Sequence, residues 1–186
     1  MRVITGKARG VSLKTPEGML TRPTADRVKE ALFSIIQFEI PGARVLDLFA
    51  GTGQLGIEAL SRGAAEAVFV DARRQACDLV RENLRRTGLS QQGSVVCADY
   101  LAALGQVAGR FDLVFLDPPY AEVFLENALQ RLSEIDILQK RGIIVTERPL
   151  GKKLELELPG FVRSRDYKYG KTLLALYRRT APEETI

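Results

Sequence analysis

Histidine is absent from all 186 residues. The commonest general acid–base and the commonest zinc ligand are therefore both missing, and no metal is expected. Cysteine is almost absent too. Cys77 and Cys97 are the only two, and their separation is not a metal-ligand spacing. Reduced thiols in a cytoplasmic protein are the simpler expectation. No apolar run reaches the ~18–20 residues that a membrane-crossing helix needs. The opening residues Met1 to Gly10 lack the apolar centre of a secretory signal. No membrane partner is expected.

What is present is an ordinary globular mixture, with 46% hydrophobic and 27% charged residues. A single domain over residues 1–186 follows, long enough to bury its own core. A monomer is the expectation. The charge is unevenly spread. Residues 1–30 carry seven Lys/Arg against three Asp/Glu, residues 31–147 eleven against fifteen, and residues 148–179 nine against three. Two basic flanks around an acidic middle are the footprint of polyanion binding, or of lysines and arginines that merely keep a chain soluble.

From Arg2 to Leu13 apolar and polar residues alternate around Gly6 and Gly10, which predicts a hairpin extension within residues 1–20. A helix is predicted from Ala25 to Phe38. Apolar strands then alternate with helices. The strands are predicted at Val45–Phe49, Ala67–Val70, Ser94–Cys97, Phe111–Leu116 and Ile143–Thr146. The helices are predicted at residues 54–61, 73–87 and 121–134. This is the pattern of a Rossmann-like α/β fold with helices on both faces of a mostly parallel sheet. After Pro149 the helical pattern fades. Strands predicted at Leu154–Leu158, Val162–Tyr167 and Thr172–Tyr177 would make the sheet end antiparallel, and seven of these eight strands are expected to form the sheet.

Two motifs carry chemistry. Asp47-Leu48-Phe49-Ala50-Gly51-Thr52-Gly53 leaves the first strand and enters a helix. Its glycines let a ligand approach the backbone, and ligands of such sheets bind beyond the carboxyl ends of the strands. Gly51-x-Gly53-x-x-Gly56 also fits a dinucleotide fingerprint, with Asp71 placed to bind a ribose. A nicotinamide-dependent dehydrogenase is therefore one reading. Asp47 favours another, because a carboxylate suits the ammonium of S-adenosylmethionine and repels a pyrophosphate. Asp71 would then accept from ribose hydroxyls and Asp99 from an adenine amine, with Ala98 or Tyr100 lining the ring. Singly, each acid could equally be a surface carboxylate or a helix cap.

The second motif is Asp117-Pro118-Pro119-Tyr120, after the fourth strand. Two prolines in series hold the chain rigid. An amino group on a base is a poor nucleophile, because its lone pair is delocalised into the ring. Asp117 and the Pro118 carbonyl could accept its two N–H bonds and stabilise the charge that develops on attack. Tyr120 could stack on the base. Adenine in nucleic acid and a protein glutamine amide are acceptors of the same kind. A non-catalytic RNA-binding assembly factor with a disused site is a further reading.

These motifs, with Arg22-Pro23-Thr24-Ala25-Asp26-Arg27 and Gly56-Ile57-Glu58-Ala59-Leu60-Ser61-Arg62-Gly63-Ala64, resemble those of the RsmD family, class I S-adenosylmethionine-dependent methyltransferases of bacterial small-subunit ribosomal RNA. The resemblance runs to Tyr169-Gly170-Lys171-Thr172. It implies transfer to the N2 amine of a guanine in that RNA, free or in an assembling subunit, with S-adenosylhomocysteine as product. It implies that Asp47, Phe49, Ala50, Gly51, Thr52 and Gly53 hold the cofactor, with Asp71 on its ribose, Asp99 and Tyr100 near its adenine, and Arg22 and Thr24 near its amino-acid end. Arg2, Lys7, Arg9 and Lys14 would contact RNA. Asp71 departs from the Glu that such sequences often carry, but the shorter acid still reaches ribose hydroxyls.

Overall fold

Strands in the centre of a two-sided sheet need apolar residues at every position, and residues 45–46, 67–70 and 113–116 supply them. The computed structural model describes residues 1–16, 23–119, 122–151, 154 and 156–180. Its strands are β1 (Arg44–Asp47), β2 (Glu66–Asp71), β3 (Gly93–Cys97), β4 (Phe111–Leu116), β5 (Leu138–Pro149), β6 (Phe161–Arg163), β7 (Tyr167–Tyr169) and β8 (Thr172–Arg179). The first five run parallel in the order β3-β2-β1-β4-β5. β8 lies antiparallel on β5. The free edge of β8 is shared by β6, opposite Tyr177 to Arg179, and β7, opposite Thr172 to Leu174. Eight strands thus occupy seven positions, because β6 and β7 divide the last one.

The helices are α1 (Pro23–Ile35), α2 (Gln54–Ser61), α3 (Arg74–Thr87), α4 (Tyr100–Leu104) and α5 (Glu122–Glu134). Alternate residues of each strand feed opposite cores. Val45, Phe69, Leu113, Phe115, Ile143 and Val145 pack with Val28, Leu32 and Phe33 of α1, Ile36 just after it, Ile57 and Leu60 of α2, and Val80 and Leu84 of α3. Leu46, Val68, Val114, Leu116 and Ile144 pack with Ala103 and Leu104 of α4 and with Leu125, Leu129 and Leu132 of α5. Strand order reverses between β1 and β4, so their carboxyl ends diverge into a crevice.

The N-terminal segment pairs with itself at the Arg2–Ser12 bridge and through the amides of Val3 to Val11 O at 3.0 Å, Gly10 to Val3 O at 2.9 Å and Leu13 to Met1 O at 3.1 Å, and it docks on α2. Buried Glu58 accepts from the amides of Ile4 at 2.8 Å and Thr5 at 3.0 Å. Ser61 binds Thr5, Lys7 and Ala8. A Cβ on Gly6 would lie 1.8 Å from the Ser61 carbonyl oxygen, so only glycine fits there. The returning limb is held by buried Asn83, which bonds both backbone groups of Lys14. The hairpin therefore closes on itself and is anchored to α2 and α3. Residues 17–20, expected to complete it, lie outside the described residues.

Three expectations change in detail. Leu154 and residues 156–158 form no strand; Leu154 and Leu158 fill the second core as single apolar residues. The predicted strand from Val162 to Tyr167 divides into β6 and β7. Helix α4 was unexpected, being five residues long and too short to show a helical period. Among the described residues no helix is long and apolar enough to cross a membrane.

Candidate active site

The loop after β1 turns sharply into α2. Gly51 and Gly53 have φ of 57° and 78°, a region that side chains avoid. The turn is tied down by Ala50 N–H to Val70 O at 2.8 Å and Gly53 N–H to Ala50 O at 2.7 Å. Asn83 adds a bond to the Thr52 carbonyl at 2.9 Å. Thr52 and Ala50 are buried, and Phe49 is half-buried.

Asp47 ends β1 almost completely buried, and its Oδ2 accepts from the Gly56 amide at 3.1 Å. Burial pushes this carboxyl up to about 7. The Gly56 N–H opposes that, and the charges of Asp117 and Asp71 add to it. Among the described residues no cation lies beside this buried acid, which matches a ligand that brings a positive charge. Gln54 Oε1, at the start of α2, is likewise buried with no hydrogen-bond partner among the described residues. The loop thus offers a carboxyl and an amide oxygen to a cationic ligand.

Asp71 ends β2 with Oδ2 accepting from the Gly51 amide at 3.0 Å. Its Oδ1 accepts from the Arg73 amide at 2.9 Å, and the exposed Arg73 guanidinium lies against both oxygens. Asp71 therefore shapes the glycine loop. Asp99 is exposed beyond β3, and its Oδ1 caps α4 by accepting from the Leu101 amide at 2.9 Å. Tyr100 is buried, its ring 5.1 Å from that of Phe49 and 5.9 Å from that of Phe124.

Asp117 and Pro118 follow β4 half-buried, and Pro119 is exposed. Burial holds the Asp117 carboxyl up at about 6. Register puts Asp47 level with Phe115, two residues before Asp117, so both acids face the same side. The glycine loop and Asp117-Pro118-Pro119 thus flank the crevice from adjacent strands. Tyr120 and Arg22 lie outside the described residues, as does the side chain of Thr24.

The expected RNA-contacting residues are divided. Arg2, Lys7, Arg9 and Lys14 are all exposed, and Lys14 pairs with Glu82 at 3.2 Å. Met1 Sδ is 3.3 Å from Thr52 Oγ1, at the glycine-loop end of α2. Lys7 is bonded to Ser61, at the opposite end of that helix. Lys7 and Arg9 are therefore not brought together with the carboxyls.

One residue of the crevice was not expected. Glu147 stands half-buried near the end of β5, beside Asp117. An acid just beyond an apolar strand singled out Asp47, Asp71, Asp99 and Asp117. The same pattern in Ile143-Ile144-Val145-Thr146-Glu147 points to this one.

The whole chain has close relatives. The family model described as conserved hypothetical protein 95 matches residues 1–178. A Bacillus subtilis (strain 168) protein, YlbH, provisionally named an rRNA methyltransferase, is 42% identical over 96% of this chain and 99% of its own. The Escherichia coli (strain K12) ribosomal RNA small subunit methyltransferase D is 33% identical over 100% of this chain and 93% of its own. A solved Escherichia coli protein, yhhF, provisionally described as a methyltransferase, superposes with a TM-score of 0.87 at 34% identity, covering 98% and 99% of the two chains.

Proposed function

This chain belongs to the conserved hypothetical protein 95 family, the RsmD family, and from that premise we propose that it methylates the exocyclic N2 amine of a guanine in small-subunit ribosomal RNA. The methyl donor in this reading is S-adenosylmethionine, which supplies an electrophilic methyl group on a sulfonium sulfur. The observation that carries the reading is Asp117-Pro118-Pro119 at the end of β4, next to a glycine loop whose buried acid has no cation beside it among the described residues.

Asp47 and Gln54 accept from the cationic amino-acid end of the donor. Asp71 accepts from its ribose, the exposed Arg73 giving way. Asp99 and the Phe49–Tyr100 ring pair border the adenine end. Asp117 and the Pro118 carbonyl accept from the two N–H bonds of the target amine, which turns its lone pair toward the methyl group. The same acceptors stabilise the positive charge on nitrogen during attack. The rigid proline pair fixes that position, and positioning supplies much of the remaining acceleration. A target base must leave its stack to reach Asp117. The protein acts in the cytoplasm as a monomer, and its exposed basic flanks contact the RNA backbone.

Tritium transfer from labelled S-adenosylmethionine to small-subunit RNA or subunits, followed by nucleoside mass spectrometry, tests this. N2-methylguanosine is expected. N6-methyladenosine or methylglutamine as the product would replace the substrate, and no transfer at all would leave an RNA-binding assembly factor. Asp117→Ala is expected to lower transfer at least a hundredfold with donor affinity retained. Wild-type rates from that variant would remove Asp117 from the chemistry.

A further inference from the structure

Asp117 and Glu147 follow adjacent parallel strands, and the charge of Asp117 acts on Glu147. β4 pairs with β5 so that Leu116 is level with Thr146, and Asp117 and Glu147 are the residues that follow this last pair. Both follow the alternation of Phe115 and Val145, so both face the side of the sheet that Asp47 faces. Among the described residues neither carboxyl has a hydrogen bond or an ion pair. Burial first, and then the Asp117 charge, push Glu147 up to about 8. Partly buried polar groups normally find partners, and two adjacent unpartnered carboxyls are costly unless a ligand supplies donors. Two half-buried carboxyls at the carboxyl ends of adjacent strands are placed to receive hydrogen-bond donors from a substrate.

We propose that Glu147 is a specificity-determining residue whose carboxyl pairs with the N1–H and O6 edge of the guanine whose N2 amine rests on Asp117. This rests on the reading that guanine N2 is the methyl acceptor. In guanine the ring nitrogen next to the amine carries a hydrogen, and the oxygen beyond it accepts. A Glu147 oxygen accepts from N1–H. Its protonated form also donates to O6, completing a two-bond match. Adenine offers a bare N1 beside its amine, which repels a carboxylate and gives a protonated acid only one bond. A protein glutamine has no ring edge at all. The second carboxyl therefore separates guanine from the other acceptors that an Asp-Pro-Pro-Tyr motif tolerates.

The test uses full-length protein, S-adenosylmethionine, and small-subunit RNA carrying either guanine or 2-aminopurine at the methylated position. 2-Aminopurine keeps the amine and lacks both N1–H and O6. Wild-type protein is expected to prefer guanine by about 10–100-fold in kcat/KM. Glu147→Ala is expected to abolish the preference by slowing guanine alone. Glu147→Gln, whose amide can accept from N1–H and donate to O6, is expected to keep most of it. An unchanged preference in Glu147→Ala, whether both substrates slow equally or neither does, overturns this inference alone. Failure of the wild-type protein to methylate guanine overturns the underlying reading, and this inference with it.

Discussion

The Gly56 amide donates to Asp47 Oδ2 at 3.1 Å across the glycine loop, joining the end of β1 to the first turn of α2. One oxygen of the acid is thus spent on the fold, and the carboxyl remains available to a ligand. Several consequences can be measured.

Asp47 makes stability depend on pH. Its folded value of about 7 exceeds the ordinary 3.8, so the folded state holds its proton longer than the unfolded chain does. Stability from this group is full below about pH 4 and is lost as pH rises through about 7. Asp117, raised to about 6, and Glu147, raised to about 8, act in the same direction. The melting temperature of the ligand-free protein should fall over this range more steeply than that of Asp47→Asn. Parallel curves would show that Asp47 titrates normally.

The same substitution should weaken S-adenosylmethionine binding. Asparagine cannot supply the charge that an ammonium seeks, and hydrogen bonds to charged groups contribute about 1.5–3 kcal/mol. Calorimetric titration should show affinity reduced at least tenfold. Equal affinity would exclude Asp47 from the donor site.

Gly56→Ala should destabilise the protein by about 1–3 kcal/mol. The added Cβ would lie 2.3 Å from Phe69 Cε1, and that ring is fully buried. Urea denaturation would report a lower midpoint with unchanged slope. An unchanged midpoint would mean that α2 and β2 separate without cost.

Glu58→Ala should cost about 3–5 kcal/mol. It strands the Ile4 and Thr5 amides, leaves buried Lys29 without its partner at 3.5 Å, and frees Arg62. Hydrogen exchange over residues 3–13 should quicken in the same variant. Protection equal to wild type would show that the segment is held by its apolar residues, Val3, Ala8 and Leu13.

Lys7→Ala with Arg9→Ala should weaken RNA binding and lower the salt dependence of log affinity by about 1–2. Because Lys7 stands at the far end of α2, transfer at saturating RNA should be preserved. An unchanged salt slope would assign these residues to solvation alone.

The order of the parallel strands with their longer helices, and the glycine turn after β1, were legible in the chain, because each depends on neighbours within a few residues. Unbroken apolar runs can only be strands covered on both faces, and prolines in series can only be a rigid corner. What stayed hidden depends on distant partners. Nothing local says that Glu58 will hold the amides of Ile4 and Thr5, more than fifty positions away. Nothing local divides the last sheet position between β6 and β7, since that follows from pairing to β8. Glu147 acquired its meaning only when the parallel register of β4 and β5 set it beside Asp117, and register is decided by the packing of two whole faces.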